Sequence, residues 1–512
     1  MLCWLKLVTI GIFVIISDVQ ASRILFLVPV SSKSHNNFYL PIAEELAERG
    51  HEVTFASAYA LKAEKTNMVM IPNRPIHDCG TPQIMNTTLS SMIDWISCIP
   101  KFCLDGLATK EAQDLLQEKW DVVLISVFFN DCFLYDVNRM QVPFIWMIPN
   151  GLFPPFSHLA GNPTFPSFIG NPTNPVVSGP PPYTFLQRTM NILHEIFGVT
   201  LYNHYYLPRL DSLCHSRGQC TEEDPSIRDI RMNSSLFIIN SIRATESVAA
   251  PYTPNVVHAG GVHLKAAKAL PQDLEEWVSG SGEAGFIFFS LGSVLKTDDM
   301  PQHLFGLLVT VFSKLPYRVL WKWDADPPAD LPSNIRMGKW LPQQDILGHP
   351  KIRLFITHGG LHSTQEAAHH GVPIIGIPAF GDQKSNMIQI QGNGYGRVIL
   401  WEELTEDLLL TRIDETIRDE KMKSAIAKRA ELMHDLPISS KDTAAYWVEY
   451  VIRHDGAPHL RCPALRMPWY RLYNMDVWAT LLFIVLLSLF LTYKTIRACC
   501  KCVFRSKKIK SE

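Results

Sequence analysis

The sequence predicts an α/β protein built from two tandem doubly wound domains, followed by one C-terminal transmembrane helix. Short β-branched or apolar runs alternate with amphipathic helical stretches from residue 22, and the same alternation begins again near residue 256. The chain has 512 residues, enough for two or three domains of roughly 100 to 200 residues, each with its own core. Residues 477–493 are 17 uncharged, mostly apolar residues, with Trp478 and Tyr493 at the edges, where amphipathic rings favour a membrane interface.

The elements follow in order. Residues 23–30, Arg-Ile-Leu-Phe-Leu-Val-Pro-Val, read as a strand buried on both faces. Residues 37–49 read as a helix with Ile42 and Leu46 on one face and Gly50 ending it, and 52–56 form the next strand. Such a βαβ start argues for a parallel sheet covered by helices on both sides. A third strand falls at 121–127. Between Pro149 and Pro182 there are 10 prolines, too many for a helix or central strand, which predicts an irregular binding loop. A helical stretch follows at 184–215. In the second series, strands fall at 286–291, 318–321, 354–357, 374–377 and 397–400. Two Rossmann-like domains, 22–255 and 256–455, place a cleft between the carboxyl edges of two sheets, where α/β proteins bind ligands.

Composition excludes several classes. With 47 Lys+Arg against 49 Asp+Glu, no overall field attracts phosphates, so no nucleic-acid partner is expected. Eleven Cys in 512 residues are too few for a disulfide scaffold, and 47% hydrophobic residues exclude disorder. The mean hydropathy, just above zero, owes much to the two ends. Residues 1–21 read as a secretory signal: Lys6, an apolar run from Leu7 to Ile16, then Val19-Gln20-Ala21 before a cut. After a connector at 456–476 and the span, the tail 494–512 holds seven basic residues against Glu512 alone. The positive-inside rule makes this tail cytosolic and the body lumenal, giving a single-pass type I protein. Lys508 and Lys510 stand where a dilysine retrieval signal would, which predicts the endoplasmic reticulum membrane. Sequons occur at Asn86 and Asn233, whereas proline excludes Asn162 and Asn171. Cys98/Cys103 and Cys214/Cys220 are closely spaced, but spacing alone does not assign disulfides.

The chemistry concentrates between Trp340 and Gln383. A strand ends at Thr357, and His358-Gly359-Gly360 followed by Ser363 opens a helix whose free N–H groups and dipole suit a diphosphate. Trp340-Leu-Pro-Gln343 precedes it; Glu366 stands eight positions after His358; Gly371-Val-Pro-Ile-Ile-Gly-Ile-Pro378 and Gly381-Asp-Gln383 follow. As a whole this spaced pattern resembles the UDP-glycosyltransferase signature. The resemblance extends over nearly the full chain, to a membrane-anchored, UDP-glucuronosyltransferase-like animal type with invertebrate features.

The resemblance implies the GT-B arrangement and a set of donor contacts. Trp340 would stack on uracil and Gln343 bond its edge. Ser293, His358 and the Gly360–Ser363 turn would hold the diphosphate, Glu366 the ribose hydroxyls, and Asp382 and Gln383 the sugar. His362 stands where vertebrate relatives often carry Asn. A base is needed on the acceptor side, and His35 lies between the first strand and helix, where the helix dipole keeps imidazole neutral. The family's aspartate partner falls on the position of Ser126, so the nearest carboxylate, Asp131, is expected to replace it. No metal ligand is expected: Asp324-Ala-Asp326 matches a metal-binding DxD pattern but lies in a proline-rich loop. No resident cofactor is expected either, the UDP-sugar serving as co-substrate. The implied reaction is inverting transfer of a hexose, from UDP-glucose or alternatively UDP-glucuronate, to phenols or steroid-like alcohols. A catalytically silent lumenal binding protein is the rival expectation, and self-association stays open.

Overall fold

The computed structural model describes residues 21–73, 89–170, 181–246, 248–292, 300–379 and 381–509. The expected signal segment up to residue 20, the Asn86 sequon and Ser293 lie outside them.

Two wholly parallel sheets form the body. The first has the order β3-β2-β1-β4-β5-β6-β7, with β1 Arg23–Val28, β2 Glu52–Ser57, β3 Asn67–Met70, β4 Val122–Ser126, β5 Phe144–Ile148, β6 Leu236–Ile239 and β7 Val256–His258. The second runs β10-β9-β8-β11-β12-β13, with β8 Phe286–Ser290, β9 Arg318–Lys322, β10 Ile335–Gly338, β11 Ile352–Thr357, β12 Ile374–Gly376 and β13 Gly396–Val398. This is the α/β, two-sheet fold that the sequence predicts.

Burial on both faces explains the continuous apolar strands. In β1, Leu25 and Leu27 enter one core, while Ile24, Phe26 and Val28 enter another across the sheet. At about 2 kcal/mol for each fully buried large apolar side chain, neither face tolerates a polar substitution cheaply.

The halves are not divided at residue 256. Strand β7 closes the first sheet, and the Ser440–Arg453 helix returns to it, placing Ala444, Ala445, Val448 and Val451 in the core of Ile24 and Phe26. Arg49 holds that helix through Asp442 at 2.5 Å and Glu449 at 3.4 Å. The proline-rich segment also departs from expectation. Pro154–Ala160 is helical, because Pro154 and Pro155 occupy the first turn, where the missing N–H has no partner to lose.

Cys103 pairs with Cys132 and Cys214 with Cys220. Five residues apart on the Leu89–Leu107 helix, Cys98 and Cys103 face different directions and do not pair with each other.

Each sheet has one switch point at or beside its middle strand. In the first sheet the winding reverses between β1 and β4; in the second, between β8 and β11. The loops leaving those four strands carry the site.

A separate unit, Cys462–Glu512, contains the Met475–Ile509 helix. Its Met475–Lys501 portion is long and apolar enough to cross a membrane, and extends past the expected span of 477–493 on both sides.

Candidate active site

His35 precedes the Asn36–Glu48 helix in the loop after β1. Its backbone N–H donates to the Ser32 carbonyl at 3.1 Å, with Ser32 Oγ 3.2 Å away, which fixes the turn. The ring packs edge-on against Phe128 at 4.7 Å, and its Nδ1 is enclosed with no hydrogen-bond partner. Burial, reinforced by nearby His362, pushes its pKa down to about 3, so the imidazole is neutral at physiological pH.

Asn130 ties this loop to the one leaving β4. It donates to Val30 O and accepts from Val30 N–H, both at 2.8 Å, and it also donates to Phe128 O at 3.0 Å. The turn between them puts Phe129 in the left-handed region at φ 61°. Ser126 ends β4 fully buried, its hydroxyl 2.8 Å from Tyr39 OH and accepting from Phe128 N–H at 3.1 Å.

Asp131 does not partner His35. It is fully buried in an ion pair with Arg231 at 2.8 Å and accepts from Tyr202 OH at 2.8 Å and Tyr206 OH at 3.4 Å. The short 3-10 turn Asp131–Phe133 directs it toward the tyrosine-bearing Tyr202–Tyr206 segment rather than along the cleft. Among the described residues no carboxylate forms an ion pair with His35.

The second sheet supplies a pocket of different chemistry. His358, after β11, is held between two glycines: a Cβ on Gly292 would lie 2.6 Å from its ring and one on Gly360 2.5 Å from Nε2. Gly292 also has φ 81°, which side chains rarely adopt. Thr357 Oγ1 lies 3.3 Å from His358 Nδ1, and burial with nearby Lys322 pushes this pKa down to about 4. Lys322 Nζ donates to Gly292 O at 2.6 Å. The Leu361–His369 helix starts at Gly360 with no side-chain cap, so its first N–H groups are free for an anion.

Around that helix end the predicted donor residues converge. Gln343 Nε2 donates to Glu366 Oε2 at 2.5 Å and to Ser363 Oγ at 3.1 Å. Burial raises Glu366 to about 7, a shift that the Gln343 bond opposes. Trp340 is 77% exposed, with Lys33 Nζ 5.5 Å from its ring centre. Asp382 accepts from Asn386 at 2.9 Å and, across the cleft, from Asn150 at 3.2 Å. Gln383 Oε1 accepts from Ala379 N–H at 2.9 Å. His362 Nε2 lies 3.3 Å from Asn240 Nδ2, a second polar contact between the halves. Asp326 is exposed and paired with Lys339 at 2.7 Å, while Asp324 lines the cleft.

His35, Trp340, Gln343, His358, Glu366 and Asp382 line one cleft of about 1980 Å³, whereas Asp131, Asp326, Ser126 and Asn130 do not. That is about twice a large small-molecule site, so two substrates fit side by side. Its other end is apolar, walled by Phe128, Phe129, Phe153, Phe156, Tyr183 and Phe197. Sequence reasoning missed Asn130, Asn150, Asn240 and Lys322. Only Asn386, one helical turn after Asp382, carried a readable spacing.

Two doubly wound sheets sharing one cleft are the GT-B arrangement. Residues 27–510 match the family described as UDP-glucoronosyl and UDP-glucosyl transferase, and the chain belongs to that family. It is 33% identical to UDP-glycosyltransferase UGT5 of Dactylopius coccus over 93% of this chain and 92% of that one. UDP-glucuronosyltransferase 2B15 of Homo sapiens is 30% identical, with 88% and 89% covered. Among solved structures, the calicheamicin glycosyltransferase CalG4 shares the fold at a TM-score of 0.60 and 17% identity, covering 85% of this chain and 99% of its own.

Proposed function

We propose that this enzyme moves a hexose from a UDP-sugar, UDP-glucose being favoured over UDP-glucuronate, to a hydroxyl of a small lipophilic acceptor. The observation that carries this reading is that neutral His35 faces the same cleft as the uncapped Leu361–His369 helix and the Trp340, Glu366 and Asp382 groups. Uracil would stack on Trp340, the ribose would bond Glu366, the diphosphate would take the helix N–H groups and His358, and the sugar would meet Asp382 and Gln383. The acceptor oxygen attacks the anomeric carbon from the face opposite UDP, inverting it, while His35 removes the proton. The UDP-sugar is a co-substrate, consumed in each turnover. The apolar helix anchors the body on the lumenal side of the endoplasmic reticulum membrane, with the basic tail cytosolic.

A second reading, a silent binding protein, draws on the lack of a carboxylate beside His35 among the described residues. Assays with both UDP-sugars and a panel of phenols, with wild type and His35→Ala, separate the two. Transfer that falls by about 100-fold or more in His35→Ala supports the enzyme. Transfer that ignores the substitution removes His35 as base, and UDP-sugar binding with no product favours the silent protein.

A further inference from the structure

Among the described residues, none places an anion behind His35, where a histidine base ordinarily has one. Its Nδ1 is enclosed and unpartnered, Phe128 closes one side, and Ser126 spends its hydroxyl on Tyr39 and the Phe128 amide. Asp131 is consumed by Arg231 and two tyrosines. The other titratable group that acts on the ring is His362, from the facing half, and it offers no negative charge.

We propose that this chain is selective for acceptors whose hydroxyl is already acidic, phenols and enols, over aliphatic alcohols, because among the described residues no carboxylate stands beside His35 to stabilise an imidazolium. The inference rests on the transfer reading above and names its acceptor class.

The step itself balances simply. The acceptor O–C1 bond forms, the C1–O bond to the diphosphate breaks with its electron pair leaving on UDP, and the acceptor proton passes to the cleft-facing ring nitrogen of His35. A carboxylate at Nδ1 would do two things for that transfer: hold the tautomer with a free lone pair toward the acceptor, and offset the new positive charge. In a serine-protease triad, losing this function costs about 10⁴ in turnover. A phenol ionises near pH 10 and an alkanol about six units higher, near water. The more acidic acceptor carries its own charge into the transition state and demands less of the base. An alkanol needs nearly full transfer, the case that an unassisted imidazole serves worst.

The test uses the full-length chain in lipid vesicles, with para-substituted phenols of graded acidity and an alkanol of matched size, and both UDP-sugars. For wild type, kcat should fall about 100-fold or more from the most acidic phenol to the alkanol, with KM changing about threefold or less. Ser126→Asp restores a carboxylate where the family resemblance implies one. It should raise alkanol turnover about tenfold or more and flatten the dependence on acidity, while Ser126→Asn, of the same size but uncharged, keeps the wild-type profile. Equal kcat for phenols and alkanol in wild type overturns the inference, as does Ser126→Asn matching Ser126→Asp. Should Ser126→Asp fail to fold, the wild-type series decides alone. No transfer to any acceptor from either donor sinks the transfer reading itself, whereas transfer indifferent to acidity sinks only this inference.

Discussion

Glu366 is raised to about 7 because burial disfavours its charged form, and the bond from Gln343 only partly offsets this. An unfolded glutamate ionises near 4.5. Between those values the unfolded chain has released a proton that the folded chain keeps, so this group makes stability fall as pH rises from 4.5 toward 7. Ribose hydroxyls bound at Glu366, as proposed, would reverse the preference, because they donate to a carboxylate. His35, His358 and His362 are held near 3 or 4 and do not titrate in the same window. Calorimetric affinity for UDP-glucose should therefore rise roughly tenfold from pH 6 to pH 8, and Glu366→Gln should flatten the curve. A wild-type affinity independent of pH would remove Glu366 from the ribose site. Gly360→Ala probes His358 without backbone strain, since only the new Cβ, 2.5 Å from Nε2, forces the ring to move. It should weaken UDP-sugar binding about tenfold while the melting temperature stays within a few degrees.

The turn after β4 decides what its carboxylate can do. Asp131 opens a 3-10 turn and points into the tyrosine cluster, where Arg231 also packs over Tyr202 at 4.6 Å. Asp131→Asn leaves Arg231 buried without its anion, at a cost of about 3–5 kcal/mol, readable as a lower urea midpoint. A stable Asp131→Asn protein with greatly reduced kcat would instead make it catalytic. This element also shows how far the sequence could be read. Strands such as β1 and β8 are legible because burial on both faces demands uninterrupted apolar residues. β5 is as apolar, but it sits between Pro143 and Pro149, beside a segment that reads as loop, and β6 is only four residues long. The donor residues are legible because they fall in one spaced pattern between Trp340 and Gln383, although they sit on or just before three different helices. Asp131 was misread because spacing along the chain gives proximity to a strand end but not the direction of a side chain leaving a turn. Asn130 was missed because its work is to bond backbone of a loop 100 residues away.

The two halves meet at Asp382 in the cleft, and that meeting is invisible in sequence because it joins positions 232 residues apart. Asn150, from the end of β5, donates to the same Asp382 oxygen that Asn386 holds from its own helix. Asp382 is thus oriented from both sides, and the half that would bind acceptor takes part in shaping the half that would bind donor. Removing Asn150 should leave the folds intact, since each sheet has its own cores, but should free Asp382 to turn from the sugar. A hydrogen bond to a charged group contributes about 1.5–3 kcal/mol, so Asn150→Ala should lower kcat/KM for the UDP-sugar by about tenfold or more. Binding of UDP alone should not change, because UDP lacks the group that Asp382 would contact. Comparing UDP and UDP-glucose affinities in the variant checks this directly. Equal losses for both ligands would mean that Asn150 acts on closure of the whole cleft, and a loss for neither would remove Asp382 from sugar recognition or Asn150 from its support.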